Sequence, residues 1–259
     1  MTLNFFKYHG TGNDFILLDN RQGNITLHKE QVAALCHRRF GIGADGLMLL
    51  EHADGYDFRM VYYNSDGGES TMCGNGGRCI VAFAKQLGMI TDSANFVAID
   101  GPHLATLDAE GIVSLHMKEV HSMSIDNGNY TLDTGSPHFV QFVQDVAHTD
   151  VFNEGKRIRY LPAFAPGGTN VNFAQRDGQQ LIVRTYERGV EDETYSCGTG
   201  VTAAAIASAG FEVGSYDIAI QTPGGMLSVS FKKKEAATAE DVVLKGPAIY
   251  VFEGTVEVM

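Results

Sequence analysis

Two of the four cysteines in this 259-residue sequence stand where a thiol can do acid/base work. Cys73 lies in Met72-Cys73-Gly74-Asn75-Gly76-Gly77-Arg78 and Cys197 in Ser196-Cys197-Gly198-Thr199-Gly200, each just before a glycine-rich turn that opens an apolar, helix-compatible run. The N–H groups and positive dipole end of a helix N-terminus stabilise anions, so a thiol placed there has a lowered pKa and a nearby carboxylate is held. Inverting a stereocentre by proton transfer needs a base on one face of the carbon and an acid on the other. Two thiols meet that need, exchanging roles in the reverse direction, with macroscopic pKa values that belong to the coupled pair. An amino acid's α-hydrogen is very weakly acidic, so such a site must also aim donors at the substrate carboxylate and exclude water. The glycine turns beside each cysteine offer those donors. Cys36 and Cys79 fall inside helical apolar patterns and read as small core residues.

The elements that would position the two thiols repeat along the chain. A helix is expected after each cysteine, the first stopped by Gly88, the second alanine-rich, slim enough to be buried and stopped by Gly210. The cysteines are 124 residues apart, and that offset recurs upstream. Strand-like Phe58 to Tyr63 echoes Leu181 to Glu187, Tyr62 falls opposite Tyr186, and Glu69-Ser70 opposite Glu193-Thr194. Thr11-Gly12-Asn13 echoes Thr134-Gly135-Ser136 at 123 residues. The chain therefore reads as a diverged internal duplication, two halves related by a pseudo-twofold, with a site expected in the cleft between them. Short alternating strands outnumber helices, which gives an α+β fold.

Composition removes several alternatives. A formal charge of −12 from 31 acids and 19 bases opposes nucleic-acid binding, and the run Lys232-Lys233-Lys234 reads as a solvated turn. No stretch approaches the roughly 20 apolar residues that span a bilayer. The N-terminal residues lack the form of a secretory signal, so a cytoplasmic location is expected. There is no Cys-x-x-Cys pair, and the nine histidines show no ligand spacing, so no metal site is expected. Gly41-Ile42-Gly43-Ala44-Asp45-Gly46 matches a dinucleotide fingerprint in form only, because Glu30 to Arg39 reads as helix before it and Leu47 to Leu50 as strand after it. Taken alone, Glu187 and Arg188 could be an ordinary ion pair, and Asn13, Asn64 and Asn172 could be turn residues.

Several phrases in order resemble the diaminopimelate epimerase family over nearly the whole chain. They are His9-Gly10-Thr11-Gly12-Asn13-Asp14-Phe15, Tyr63-Asn64-Ser65-Asp66-Gly67, the two cysteine turns, Asn170-Val171-Asn172-Phe173, Tyr186-Glu187-Arg188-Gly189-Val190-Glu191, and the closing Gly246 to Gly254. The resemblance implies interconversion of LL- and meso-2,6-diaminopimelate, a step toward lysine and peptidoglycan, with no pyridoxal phosphate, metal or nucleotide cofactor. Position by position, Cys73 and Cys197 match the catalytic pair, with His138 and Glu187 supporting the acid/base work. Gly74, Asn75, Gly198 and Thr199 match the turns that hold the reacting carboxylate, and Asn13 a substrate-binding asparagine. Asn64, Asn172 and Arg188 match groups that read the distal amino-acid end, and Glu187 is implied to bind substrate as well. Ser136 stands in Gly135-Ser136-Pro137-His138 where the family commonly has asparagine, and Gly46 where some members carry glutamine.

The same resemblance implies two halves, residues 1–120 with 247–259 and residues 121–246, each a curved, mainly antiparallel sheet around the helix that follows its cysteine. It also implies a homodimer, with Phe252 near the interface. Proline racemases share the paired-cysteine layout, but their usual Cys-Gly-His-Gly is absent here. A racemase of another single amino acid would need no distal pocket, and a thiol-based redox-sensing binding protein would show oxidation without Cα exchange.

Overall fold

Period-two alternation of apolar and polar residues builds most of the chain into strands. In the first of them Leu3 and Phe5 are buried between exposed Thr2 and Asn4. The computed structural model describes residues 1–258; residue 259, at the end of the expected first half, lies outside them. In chain order the elements begin with β1 (Thr2–Gly10), β2 (Asn13–Asp19), α1 (Lys29–Cys36), β3 (Gly46–Glu51) and β4 (Phe58–Asn64). There follow β5 (Glu69–Ser70), α2 (Gly74–Gln86), β6 (Ser93–Ala98), β7 (Gly101–Leu107) and β8 (Ile112–His116). Next come β9 (Met123–Asp126), β10 (Asn129–Asp133), β11 (Pro137–Phe142), α3 (Val151–Arg159), β12 (Asn170–Asp177) and β13 (Gln180–Glu187). The chain continues through β14 (Asp192–Thr194), α4 (Gly198–Ser208), β15 (Gly214–Thr222), β16 (Gly225–Lys233), β17 (Glu240–Pro247) and β18 (Ile249–Glu257).

Two compact units result: Met1–Leu115 with the segment from Gly246 onward, and His116–Lys245. In the first, the strands run in the order β18-β1-β2-β3-β4-β6-β7-β8, with β2–β3 and β4–β6 parallel and the other neighbours antiparallel. In the second the order is β9-β10-β11-β12-β13-β15-β16-β17, with β11–β12 and β13–β15 parallel and the rest antiparallel. Each sheet also carries a short hairpin strand, β5 on β4 and β14 on β13. The two pairing schemes are the same step for step, with β18 filling in the first the place that β9 fills in the second. That agreement is the structural counterpart of the sequence echoes.

The slip from 123 to 124 residues has a local cause. Gly10 pairs with Asn13 across the two-residue loop Thr11-Gly12, where both φ are positive (49° and 86°), as a type I′ hairpin requires. At the corresponding turn Asp133 pairs with Pro137, so the loop holds three residues, with Gly135 at φ 112°. One extra residue moves every later equivalence by one.

Each unit wraps its sheet around one helix. The inner residues of α2, Cys79, Ile80, Val81, Phe83 and Ala84, are all fully buried. In α4 every residue from Val201 to Ala207 is inaccessible, so its whole circumference is core, as its small side chains suit. The C-terminal strand β18 pairs with β1 from Thr2↔Glu257 to His9↔Ile249. Among the described residues no helix is long and apolar enough to cross a membrane.

Two sequence expectations need adjustment and a third holds. The helix expected to reach Arg39 stops at Cys36, because the chain folds back at Gly41 and Gly43 and their neighbours take over its last carbonyls: Gly43 N–H donates to Leu35 O (3.1 Å) and Ala44 N–H to Cys36 O (3.0 Å). The helix before Gly41 and the strand after Gly46 keep the reverse of the dinucleotide order. The Lys232 to Lys234 run belongs to β16 and the turn after it: Lys232 and Lys234 are exposed beside Asp241 and Glu240, whereas Lys233 points inward to the Gly210 carbonyl.

Candidate active site

Both cysteines of the glycine turns are helix N-caps with extended backbone, Cys73 for α2 (φ −106°, ψ 148°) and Cys197 for α4 (φ −113°, ψ 110°). The two ends differ in detail. The Cys73 sulfur accepts the Gly76 N–H at 3.2 Å, whereas the Cys197 sulfur makes no cap bond and meets the Thr199 hydroxyl at 3.5 Å.

Under the head of α2 lies a chain of polar side chains. Arg78, wholly inaccessible, donates to Asn75 Oδ1 (3.0 Å) and Asn75 Nδ2 donates to Asn13 Oδ1 (3.2 Å). Asn13 Nδ2 donates to Asp45 (2.7 Å), which Arg38 holds at 2.6 Å. Asn75 and Gly74 are buried, Asn13 is half-buried and Asn64 is exposed at the end of β4. The close approach of β1 to the helix rests on Gly10, where a Cβ would lie 3.1 Å from both Arg78 Nη2 and the Asn75 carbonyl. At Gly46 a Cβ would lie 2.5 Å from the Tyr62 ring, so the longer side chain of some relatives has no room unless Tyr62 moves.

Beside α4 the second unit builds a different network. His138, 1% exposed, accepts from Asn172 Nδ2 at Nδ1 (3.1 Å), which leaves its proton on Nε2, 3.0 Å from the Ser136 hydroxyl. Ser136 Oγ also accepts from Asn170 Nδ2 (3.1 Å), which turns its own proton toward Thr199 Oγ1 at 3.4 Å. Ser136 and Thr199 thus lie between His138 and Cys197. Burial, the largest influence, pulls His138 down to about 3 with help from Arg188 and against Asp133, so the ring is neutral. Thr134 fastens the turn by donating to the Thr199 carbonyl (2.9 Å).

Asn172 is fully buried, and its amide is spent inside the fold on His138, the Phe139 carbonyl (2.9 Å) and the Thr185 hydroxyl (2.9 Å). Asn172, expected from the resemblance to read the distal end of a substrate, is thus held against His138 inside the fold. Glu187, half-buried, accepts from the Thr194 hydroxyl at 2.8 Å. Arg188 is exposed, its backbone N–H held by Asn170 Oδ1 (2.9 Å), and its guanidinium makes no hydrogen bond or ion pair among the described residues. A guanidinium so presented suits bidentate capture of a carboxylate.

Asn170 and Arg78 are among the residues of these networks that escaped the sequence reading. Asn170 ties Ser136, the Pro137 carbonyl (3.1 Å) and Arg188 together, and its period-two relation to Asn172 in β12 was the available signal. Arg78 was a charge at the head of an apolar helical run whose other charge, Lys85, lies in the last turn.

The fold recurs in solved structures at low identity. A phenazine biosynthesis protein of the PhzF family from Bacillus anthracis superposes with a TM-score of 0.78 at 15% identity, covering 100% of both chains. A hydroxyproline epimerase from Agrobacterium vitis does so with a TM-score of 0.69 at 14% identity, covering 98% of this chain and 92% of the other. The architecture is thus one that epimerases use. Sequence similarity is closer: the diaminopimelate epimerase of Flavobacterium psychrophilum is 52% identical over 98% of this chain and 100% of its own, and that of Chlorobaculum tepidum 43% over 95% and 98%. The family model for diaminopimelate epimerase matches residues 5–121 and 130–251. The chain is an isomerase and belongs to the diaminopimelate epimerase family.

Proposed function

We propose that this protein interconverts LL- and meso-2,6-diaminopimelate by proton transfer at Cα, with Cys73 and Cys197 as the acid/base pair and no cofactor. The observation that carries the reading is the equivalent placement of the two cysteines, each the N-cap residue of the central helix of a sheet with the same strand order. Family membership supports the substrate. Stereoinversion requires a base on one face of the carbon and an acid on the other, and each half contributes one acid/base thiol. The N–H groups that open α2 and α4 suit a carboxylate, whose negative charge grows as Cα loses its proton. Arg188, exposed and uncommitted to any acid, fits the second carboxylate of a substrate that carries two amino-acid ends.

Proton NMR of LL-diaminopimelate in D2O with reduced enzyme, no added cofactor, and proline and histidine as competitors tests this. The expected result is loss of the diaminopimelate α-proton signal with growth of the meso isomer, abolished in Cys73→Ala and in Cys197→Ala. Exchange confined to another amino acid would overturn the substrate, and normal turnover by either cysteine variant would overturn the two-thiol mechanism.

A further inference from the structure

The two thiols are equivalent in fold but not in charge. Adding 124 to Arg78 gives Thr202, and both reach back one turn: Arg78 Nη1 donates to the Gly74 carbonyl (3.2 Å), and the Thr202 hydroxyl to the Gly198 carbonyl (2.9 Å). Both are fully buried. What the second unit does with a neutral hydroxyl, the first does with a guanidinium.

That guanidinium faces only neutral acceptors. Besides Gly74 they are Asn75 Oδ1 (3.0 Å), Thr11 Oγ1 (3.3 Å) and the Pro247 carbonyl (3.3 Å). No carboxylate among the described residues pairs with it; the nearest along the bonded chain is Asp45, beyond the amides of Asn75 and Asn13. The β1 side presents Gly10 and Thr11, the end of β17 presents a carbonyl, and the titrating groups that act on Arg78 are Cys79 and Cys73. Burial lowers Arg78 to about 10, so it keeps its charge at neutral pH. A buried cation surrounded by dipoles favours any neighbouring group that can become an anion. Cys79 sits in the core, where burial pushes its thiol far up. Cys73 is half-buried and already accepts the Gly76 N–H.

We propose that Arg78 is a positioning residue of charge, a fixed cation beneath α2 that makes Cys73 the thiolate and Cys197 the thiol of the substrate-free pair. The inference rests on the reading of these two cysteines as acid and base. Once substrate is bound, the same cation favours the carboxylate held by the Gly74-Asn75 turn.

The test is the pH dependence of iodoacetamide alkylation, with the labelled residue identified by peptide mass. Cys197→Ala protein reports Cys73 and Cys73→Ala protein reports Cys197; Cys36, pushed up to about 12 by burial, and Cys79 stay silent. The Cys73 thiol is expected to titrate at least about one pH unit below that of Cys197. Adding Arg78→Gln should raise the Cys73 midpoint by about one unit or more. Cys73 titrating at or above Cys197 with Arg78 intact overturns the proposal, whether or not the glutamine variant folds. So does an unchanged midpoint in Arg78→Gln. Turnover of diaminopimelate by the unaltered enzyme separates the two readings: activity with Cys73 the weaker acid sinks this inference alone, and inactivity on every amino acid sinks the epimerase reading.

Discussion

Asn172 donates to Nδ1 of His138 at 3.1 Å, and that one bond decides which ring nitrogen carries the proton. Because neither side chain reaches solvent, the imidazole is neutral in the fold. An unfolded histidine takes up a proton near pH 6.5, but the folded one resists until about 3. The stability this contributes is complete above the unfolded value and is lost as pH falls from there toward 3, by at most about 1.4 kcal/mol per pH unit. Urea unfolding should therefore show about 1 kcal/mol less stability at pH 5.5 than at 7.5, and His138→Gln should flatten that slope. A pH-independent midpoint in the unaltered protein would show the ring charging in place.

Gly200 stands where no side chain fits. A Cβ there would run into Asn172 Oδ1 and lie 3.2 Å from both Cys197 Cβ and Thr185 Oγ1. Gly200→Ala should cost about 1–3 kcal/mol in thermal unfolding, with turnover reduced because the head of α4 must shift. Gly178, with open space around its Cβ position and φ +61°, serves as the contrast: Gly178→Asn should change stability little. Equal effects at the two sites would mean that packing at the helix head carries no special weight.

Arg188 separates binding from chemistry. Its side chain makes no hydrogen bond or ion pair among the described residues, so Arg188→Ala should leave the melting temperature nearly unchanged while raising KM for diaminopimelate about 100-fold, the loss of a charge-assisted carboxylate contact worth about 2–3 kcal/mol. Arg188→Lys should recover only part of that affinity. Steady-state kinetics read this directly, and an unaltered KM would remove Arg188 from the substrate.

The parts of the site that were legible in the sequence are those written as local backbone chemistry. A cysteine before a glycine turn and an apolar run announced both N-caps, and the repeated spacing announced the duplication. Side-chain direction was less accessible. That Asn172 in β12 faces inward onto the His138 ring could not be read from the sequence. Helix α3 went unnoticed because Gly155 sits in its middle; the glycine is there since a Cβ would strike Tyr186, while Asp150 caps the start by accepting from Asn153 N–H (3.1 Å). Lys233 shows the same limit: three consecutive lysines read as solvated, but strand alternation buries the middle one.

The pairing of β18 with β1 bears on the order in which the molecule comes into being. His116–Lys245 is a continuous stretch, so its sheet has been synthesised, but for the last two residues of β17, before the segment from Gly246 exists. The unit that carries Cys73 lacks the outer partner of β1 until that later segment emerges. During translation the half bearing Cys197 is thus able to complete its sheet first, and the half bearing Cys73 waits, leaving the backbone of β1 unsatisfied along the edge that β18 covers.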